Sequence, residues 1–229
     1  MTRAIAVPNL LPGTAHLWEF NLDDFVFADL LSDDERERAA RFHFDRDRNR
    51  FQAGRIALRL LLGAYLRVPP GEIRFSYGPA GKPAIAGAGI SFNLAHSGPY
   101  AMLGVSGENN LGVDIELIRE ITDMPTVAQY SFARGEFSRW RALPRDQQIA
   151  AFYRCWTRKE AYLKAIGEGI ALRLQKFEVA FEPGSPARFL NGVGEGWKLL
   201  DFSKEPVYAA ALACDGTLAA VECHRLACA

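Results

Sequence analysis

The segment Leu111-Gly112-Val113-Asp114-Ile115-Glu116 alternates strictly between apolar residues and polar or small ones. Period-two alternation predicts a strand with Leu111, Val113 and Ile115 on one face and Gly112, Asp114 and Glu116 on the other, the two carboxylates roughly 6 to 7 Å apart. Carboxylates so spaced can share one hard cation such as magnesium, which takes a few carboxylate oxygens and leaves room for water and substrate phosphate. Taken alone, the pair more often marks a half-exposed strand with a polar outer face. Further on, the run Phe152-Tyr153-Arg154-Cys155-Trp156-Thr157-Arg158-Lys159-Glu160-Ala161-Tyr162-Leu163-Lys164-Ala165 places Glu160 and Lys164 four apart on a helix. They are close enough to act on one substrate, or simply to pair with each other. Lys159 falls inside the apolar stripe of that helix, formed by Phe152, Cys155, Trp156, Tyr162, Leu163 and Ile166. An ammonium there needs a buried partner or a path to solvent along its own stem.

A third cluster is Gly81-Lys82-Pro83 followed by Ser91-Phe92-Asn93-Leu94-Ala95-His96-Ser97-Gly98. Gly and Pro fix a turn that can present Lys82, while His96 stands at the end of a predicted strand, where a lone histidine is more often structural than a ligand. No GxxxxGK[ST] occurs, and no GxGxxG follows a strand, so neither a P-loop nor a dinucleotide fold is supported; Gly87-Ala88-Gly89 reads as a loop. Cys155, Cys214, Cys223 and Cys228 form no CxxC pair. Reduced thiols in a cytosol account for them more simply than a metal clip of Cys223, His224 and Cys228.

These groups need elements to hold them. After a strand-like run over residues 16 to 20, Ser32-Asp33-Asp34-Glu35 has the residues of a helix N-cap box and opens a charged helix to about Phe44. A second helix, residues 48 to 67, has a broad apolar face and is stopped by Pro69-Pro70-Gly71. Short apolar runs broken by Gly and Pro follow at 73 to 75, 90 to 94, 100 to 105 and 111 to 115 and predict a small sheet. Helical signals return after Thr122, with a long amphipathic helix over 146 to 166 ended by Gly167 and Gly169. Strand-like runs resume at 177 to 181, 197 to 202, 207 to 213 and 218 to 223. The order helix, sheet, helix, sheet predicts an α+β protein of two similar halves, residues 1–114 and 115–229, without a residue-level repeat.

Composition sets outer bounds. With 229 residues, 49% of them hydrophobic and 24% charged, the chain can bury a real core and is neither disordered nor membrane-embedded. Lys+Arg and Asp+Glu both number 27, so no net field draws the whole molecule toward nucleic acid or membrane. There is no signal-peptide pattern and no apolar run of spanning length, so a cytoplasmic protein is expected. Locally, Arg36, Arg38, Arg41, Arg46, Arg48, Arg50, Arg55, Arg59 and Arg67 crowd one stretch without a Lys. This fits either a phosphate-rich small molecule or a solvated helix laced with acids.

Taken in order, GKP (81 to 83), FNLAHS (92 to 97), GVDIE (112 to 116) and WTRKEAYLKA (156 to 165) resemble the 4′-phosphopantetheinyl transferases of the surfactin type. The resemblance spans roughly residues 32 to 170. It implies a pseudo-dimer of two α+β halves, each a small antiparallel sheet packed with a long helix, acting as a monomer that binds coenzyme A in the cleft between them. It assigns Asp114, Glu116 and Glu160 to Mg2+, Glu160 to the general base and Lys164 to its partner. Gly81, Lys82, Pro83, Asn93, Ala95 and His96 match the nucleotide and diphosphate site, and Arg38, Arg50 and Arg55 the region of the 3′-phosphate. The implied reaction moves phosphopantetheine from coenzyme A to a serine of an apo acyl or peptidyl carrier. Another magnesium-dependent phosphoryl enzyme would not need GKP and FNLAHS, and a noncatalytic carrier-binding module would not need all four of Asp114, Glu116, Glu160 and Lys164. Where the family often has Ser, this chain has Ala95; the lost hydroxyl is expected to weaken coenzyme A binding by about 1 kcal/mol. Residues 117 to 132, with Leu117, Ile118, Met124 and Phe132, are the expected carrier-docking segment, and Arg119 or Arg134 would complement an acidic carrier.

Overall fold

Ser32 opens helix α1 (Asp33–Ala40) as the sequence predicts: its backbone N–H donates to Glu35 Oε2 at 2.9 Å. In the computed structural model, which describes residues 5–25, 29–107, 109–168, 174–216 and 218–226, Glu35 also turns inward. Its two oxygens accept from Arg55 Nε at 2.5 Å and Arg59 Nε at 2.8 Å of helix α2 (Asp45–Leu66). This ion cluster docks α1 on α2. Helix α2 starts three residues earlier than its apolar pattern suggests and ends at Arg67 in the left-handed conformation. Cys228 and Gly169 lie outside the described residues.

Two sheets form the centre. The first joins β1 (Thr14–Asn21), β4 (Ser91–Ser97), β5 (Tyr100–Ser106) and β11 (Ala220–Arg225) in the order β11-β1-β5-β4. The second joins β6 (Leu111–Leu117), β9 (Lys198–Asp201) and β10 (Tyr208–Cys214) in the order β6-β10-β9. The second sheet is antiparallel throughout, as expected. The first is mixed, because β11 runs parallel to β1, from Thr14 opposite Ala220 to Glu19 opposite Arg225. Parallel neighbours need a long crossover, and here almost the whole chain, from the end of β1 at Asn21 to the start of β11 at Ala220, lies between them. The expected division between residues 114 and 115 falls inside β6. Two short ribbons complete the strands: β2 (Ser76–Tyr77) with β3 (Pro83–Ala84), and β7 (Glu178–Val179) with β8 (Phe189–Asn191). The apolar run at 73 to 75 is not a strand; the ribbon begins at Ser76.

The layers stack as helix, sheet, sheet, helix. Leu58, Leu61 and Leu62 of α2 pack on Phe92, Leu103 and Val105 of the first sheet. Leu17, Met102, Leu111, Val113, Ile115 and Leu212 fill the space between the sheets. On the far side, helix α5 (Arg145–Ile166) lies on Ala209, Ala211 and Ala213 of β10, flanked by α3 (Met124–Ser131) and α4 (Arg134–Ala142). Lys159 finds its buried partner in Glu136 of α4: Nζ donates to Oε2 at 2.6 Å, with both side chains fully inaccessible. The same carboxylate accepts from the N–H groups of Ala133 at 2.8 Å and Val179 at 2.7 Å, so one buried acid ties α4, α5 and β7 together.

The approach of α5 to β6 is closer than side chains allow. A Cβ on Gly112 would lie 2.2 Å from the Ala161 carbonyl oxygen and 2.3 Å from the Ala165 nitrogen. Both neighbours are helix backbone and cannot move aside. Gly112→Ala is therefore expected to destabilise the protein by at least about 3 kcal/mol, the upper end of ordinary overpacking, in urea unfolding; a change under about 1 kcal/mol would show that the two elements can separate freely.

Candidate active site

Because α5 crosses β6 at Gly112, its Glu160 and Lys164 come to lie over the polar face of that strand. Lys164 Nζ donates to Asp114 Oδ1 at 2.5 Å, so Lys164 pairs across to the strand rather than along its own helix with Glu160. Asp114 and Glu160 are buried, at 3% and 2% exposure, and Glu116 is half-buried. Glu116 Oε2 accepts from Ser97 Oγ at 2.7 Å, and Ser97 Oγ in turn accepts from the Leu117 N–H at 3.1 Å. Asn93 Oδ1 accepts from the Val113 N–H at 2.8 Å. Asn93 and Ser97 thus stitch β4 to β6, edge to edge, where among the described residues no backbone ladder joins the two sheets. Ser97 and Gly112 escaped the sequence-based set. The period-two spacing of Asn93, Ala95 and Ser97 is the signal that could have flagged Ser97.

The electrostatics are unbalanced. Burial first, then the neighbouring Asp114 charge, pushes Glu160 up to about 7. Burial likewise raises Glu116, with Asp114 adding to it, and raises Asp114 against the pull of Lys164. Lys164 stands above its ordinary value because Asp114, Glu160 and Glu116 outweigh its own burial. Both oxygens of Glu160 and Oδ2 of Asp114 are buried without a hydrogen-bond partner among the described residues. Bare buried carboxylate oxygens are costly, and a hard divalent cation is the group whose chemistry removes that cost. The residues present fit such an ion.

The remaining predicted residues are spread over several places. His96 stands one residue before the end of β4; desolvation first, then the cations Lys164 and Arg50, hold its imidazole below the usual range. Arg50 grips Asp23 with two bonds of 2.7 Å and passes beside Gly98, and Arg38 stands exposed on α1 with its guanidinium 5.2 Å from the ring centre of Phe51. Lys82, at the turn set by Gly81 (φ +79°) and Pro83, donates to the carbonyls of Leu111 at 3.0 Å and Ala165 at 3.1 Å, and burial brings it down to about 8. Arg55 is drawn away into the Glu35 cluster, with its guanidinium also reaching the Tyr77 hydroxyl. Ala95 is 5% exposed in the apolar layer between the sheets. A serine hydroxyl there would enter that layer rather than a cleft.

Met124 and Phe132 are corrected by the structure as docking residues: at 6% and 1% exposure both belong to the core beneath α5. Met124 and Ala128, one turn apart, form the inward face of α3. Leu117 and Ile118 keep part of their surface, and Arg119 and Arg134 are exposed.

Residues 110–213 match the family model of the 4′-phosphopantetheinyl transferase superfamily, and residues 16–108 match that of the 4′-phosphopantetheinyl transferase N-terminal region. The 4′-phosphopantetheinyl transferase HetI from a Nostoc strain is 40% identical over 220 residues, 91% of this chain and 92% of that protein. The chain belongs to the 4′-phosphopantetheinyl transferase superfamily. The 4′-phosphopantetheinyl transferase Sfp of Bacillus subtilis is 30% identical over 67% of each chain. A holo-(acyl-carrier-protein) synthase from Bacillus anthracis, solved with CoA (3′,5′-ADP), superposes with a TM-score of 0.41 and 20% identity over 46% of this chain and 94% of that one. This phosphopantetheinyl transferase is thus an enzyme of the transferase class, of α+β fold, and among its described residues no helix is long and apolar enough to cross a membrane.

The raised carboxyl of Glu160 has a consequence for stability. Its folded value, about 7, lies above the ordinary glutamate value of 4.5, so its contribution is fully present below pH 4.5 and is lost as pH rises through 7. In metal-free protein at pH 8, Glu160→Gln is expected to be more stable than wild type by about 2 to 3 kcal/mol, with the gap closing toward pH 5. Thermal unfolding with EDTA checks this; a variant less stable than wild type at pH 8 would refute the electrostatic account.

Proposed function

We propose that this phosphopantetheinyl transferase moves the 4′-phosphopantetheine arm of coenzyme A onto a serine hydroxyl of an apo acyl or peptidyl carrier protein and releases 3′,5′-ADP. The observation that carries the reading is the group of three carboxylates, Asp114, Glu116 and Glu160, set against a single ammonium, Lys164, at the seam between the two sheets. These carboxylates would hold Mg2+, which when bound supplies positive charge against the diphosphate oxygens. Glu160 takes the serine proton as the oxygen attacks the β-phosphorus; the bond from that phosphorus to the bridging oxygen breaks, and the oxygen leaves on 3′,5′-ADP. Lys164, fixed by Asp114, stabilises developing negative charge.

His96, Arg50 and Arg38 offer cationic or hydrogen-bonding groups for the nucleotide phosphates. Lys82 has two N–H groups engaged by carbonyls and a third left for a phosphate. We take the enzyme to act as a cytoplasmic monomer. Its two sheets supply both walls of the seam within one chain, and Cys155, Cys214 and Cys223 are free thiols. For the carrier, Leu117, Ile118 and Arg119, directly after the carboxylate strand, replace the buried Met124 and Phe132 as the docking residues.

The direct test is intact mass of an apo carrier after incubation with the enzyme, coenzyme A and magnesium. A gain of about 340 Da that EDTA abolishes is expected, and Glu160→Gln should slow it at least 100-fold, on the order of a lost general base. Wild-type turnover by Glu160→Gln, or an EDTA-insensitive gain, would overturn the assignment. Ile118→Asp should raise KM for the carrier at least about fivefold and leave KM for coenzyme A within about twofold; equal changes in both would remove the docking surface.

A further inference from the structure

Away from β6 and α5, at the opposite edge of the first sheet, three side chains converge that the transfer reaction does not use. In the parallel register of β1 and β11, His16 stands opposite Glu222 and Trp18 opposite His224, so His16, Glu222 and His224 project from one face of two neighbouring strands. Glu222 Oε2 lies 3.6 Å from His16 Nε2 and 3.7 Å from His224 Nε2, and one ligating atom from each residue falls within 4.8 Å of the others. Two ligands held at 2.0 to 2.1 Å in a tetrahedral field stand about 3.3 Å apart, so two of these separations need only a few tenths of an ångström.

Both imidazoles present a vacant edge to this point. His16 is fully buried, yet its Nε2 has no hydrogen-bond partner among the described residues, and neither has His224 Nε2. An unsatisfied ring nitrogen in the interior is costly. The other nitrogen of His16 is fixed: Nδ1 lies 2.6 Å from the Tyr65 hydroxyl, which also accepts from Trp18 Nε1 at 2.7 Å. The Tyr65 oxygen has two lone pairs. It can accept from both Trp18 and His16 Nδ1–H, and that tautomer aims the His16 Nε2 lone pair at Glu222 and His224. An oxygen that orients a histidine through its distal N–H is the usual support of a metal-bound imidazole.

We propose that His16, Glu222 and His224 form a second metal site, for a first-row transition-metal dication such as Zn2+. Two imidazoles and one carboxylate are the wrong donors for magnesium and the right ones for zinc or cobalt, so this site and the all-carboxylate site at β6 select different ions. Its role is to clasp β11 to β1. Among the described residues, β11 is the one strand from the second half of the chain that joins the first sheet, and it is an edge strand with most of its residues exposed. A cation bridging the two strands fastens that return.

The test uses the full-length, untagged chain, stripped of metal and held in excess Mg2+ so that the carboxylate site is saturated. Titration with Co2+ should give visible ligand-field bands that saturate at one equivalent and are displaced by Zn2+. Zn2+ should raise Tm by at least about 4 °C. Because His16 is fully buried, the variants are made on the edge strand: Glu222→Gln and His224→Gln should each weaken Co2+ binding at least about 10-fold and remove the Zn2+ shift. Their metal-free Tm and their transferase turnover in Mg2+ should stay near wild type. Co2+ binding that both variants retain at full strength, or no binding at micromolar Co2+, would overturn the proposal whatever the transfer assay shows.

Discussion

The contact between β6 and α5 at Gly112 is the constraint on which the site depends. A helix resting on a strand with one side chain between them would stand farther off, and Glu160 and Lys164 would lose their reach to Asp114. The alanines of β10, Ala209, Ala211 and Ala213, extend the same condition to the next strand, giving α5 a smooth bed along its length. Small residues are used here for proximity rather than flexibility. The resulting layer brings four ionisable groups together that local structure alone would keep on separate elements.

Buried charge is balanced everywhere the molecule needs rigidity and unbalanced where it needs chemistry. Glu35 is below its usual range because Arg59 and Arg55 outweigh the effect of its burial. Glu136, raised by burial, is opposed by Lys159 and held by two backbone N–H groups. Removing one partner from such a cluster leaves an uncompensated charge, at a cost of about 3 to 5 kcal/mol. At β6 the count runs the other way, with three carboxylates and one ammonium. That surplus of negative charge is held in place by the surrounding scaffold, and it is the feature on which the proposed cation site rests.

The seam between the sheets shows why two halves are needed. β4 and β6 belong to different sheets, yet Asn93 and Ser97 bond directly to the backbone or carboxylate of β6. They fix His96 on one side of the seam relative to Glu116 on the other. The arginines of α2 divide their labour along the same axis. Arg55 and Arg59 turn inward to lock α1, and Arg50 stays near the end of β4.

Much of this was legible in the residues. The alternation at 111 to 116 fixed the strand and the shared face of Asp114 and Glu116, since neighbouring residues alone determine which way strand side chains point. The stripe of α5 called for either a buried partner or a path to solvent for Lys159, and its stop at Gly167 follows from backbone geometry at one residue. Only the tertiary structure decided who the partners are. Lys164 chose Asp114, fifty residues away, over Glu160 on its own helix, and Arg55 chose Glu35 over the region of the seam. Met124 and Phe132 went into the core, and β11 returned to lie parallel to β1. Direction along a helix or strand is a local property of the chain. Pairing between distant side chains is settled by which layers come into contact, and no window of sequence contains that information.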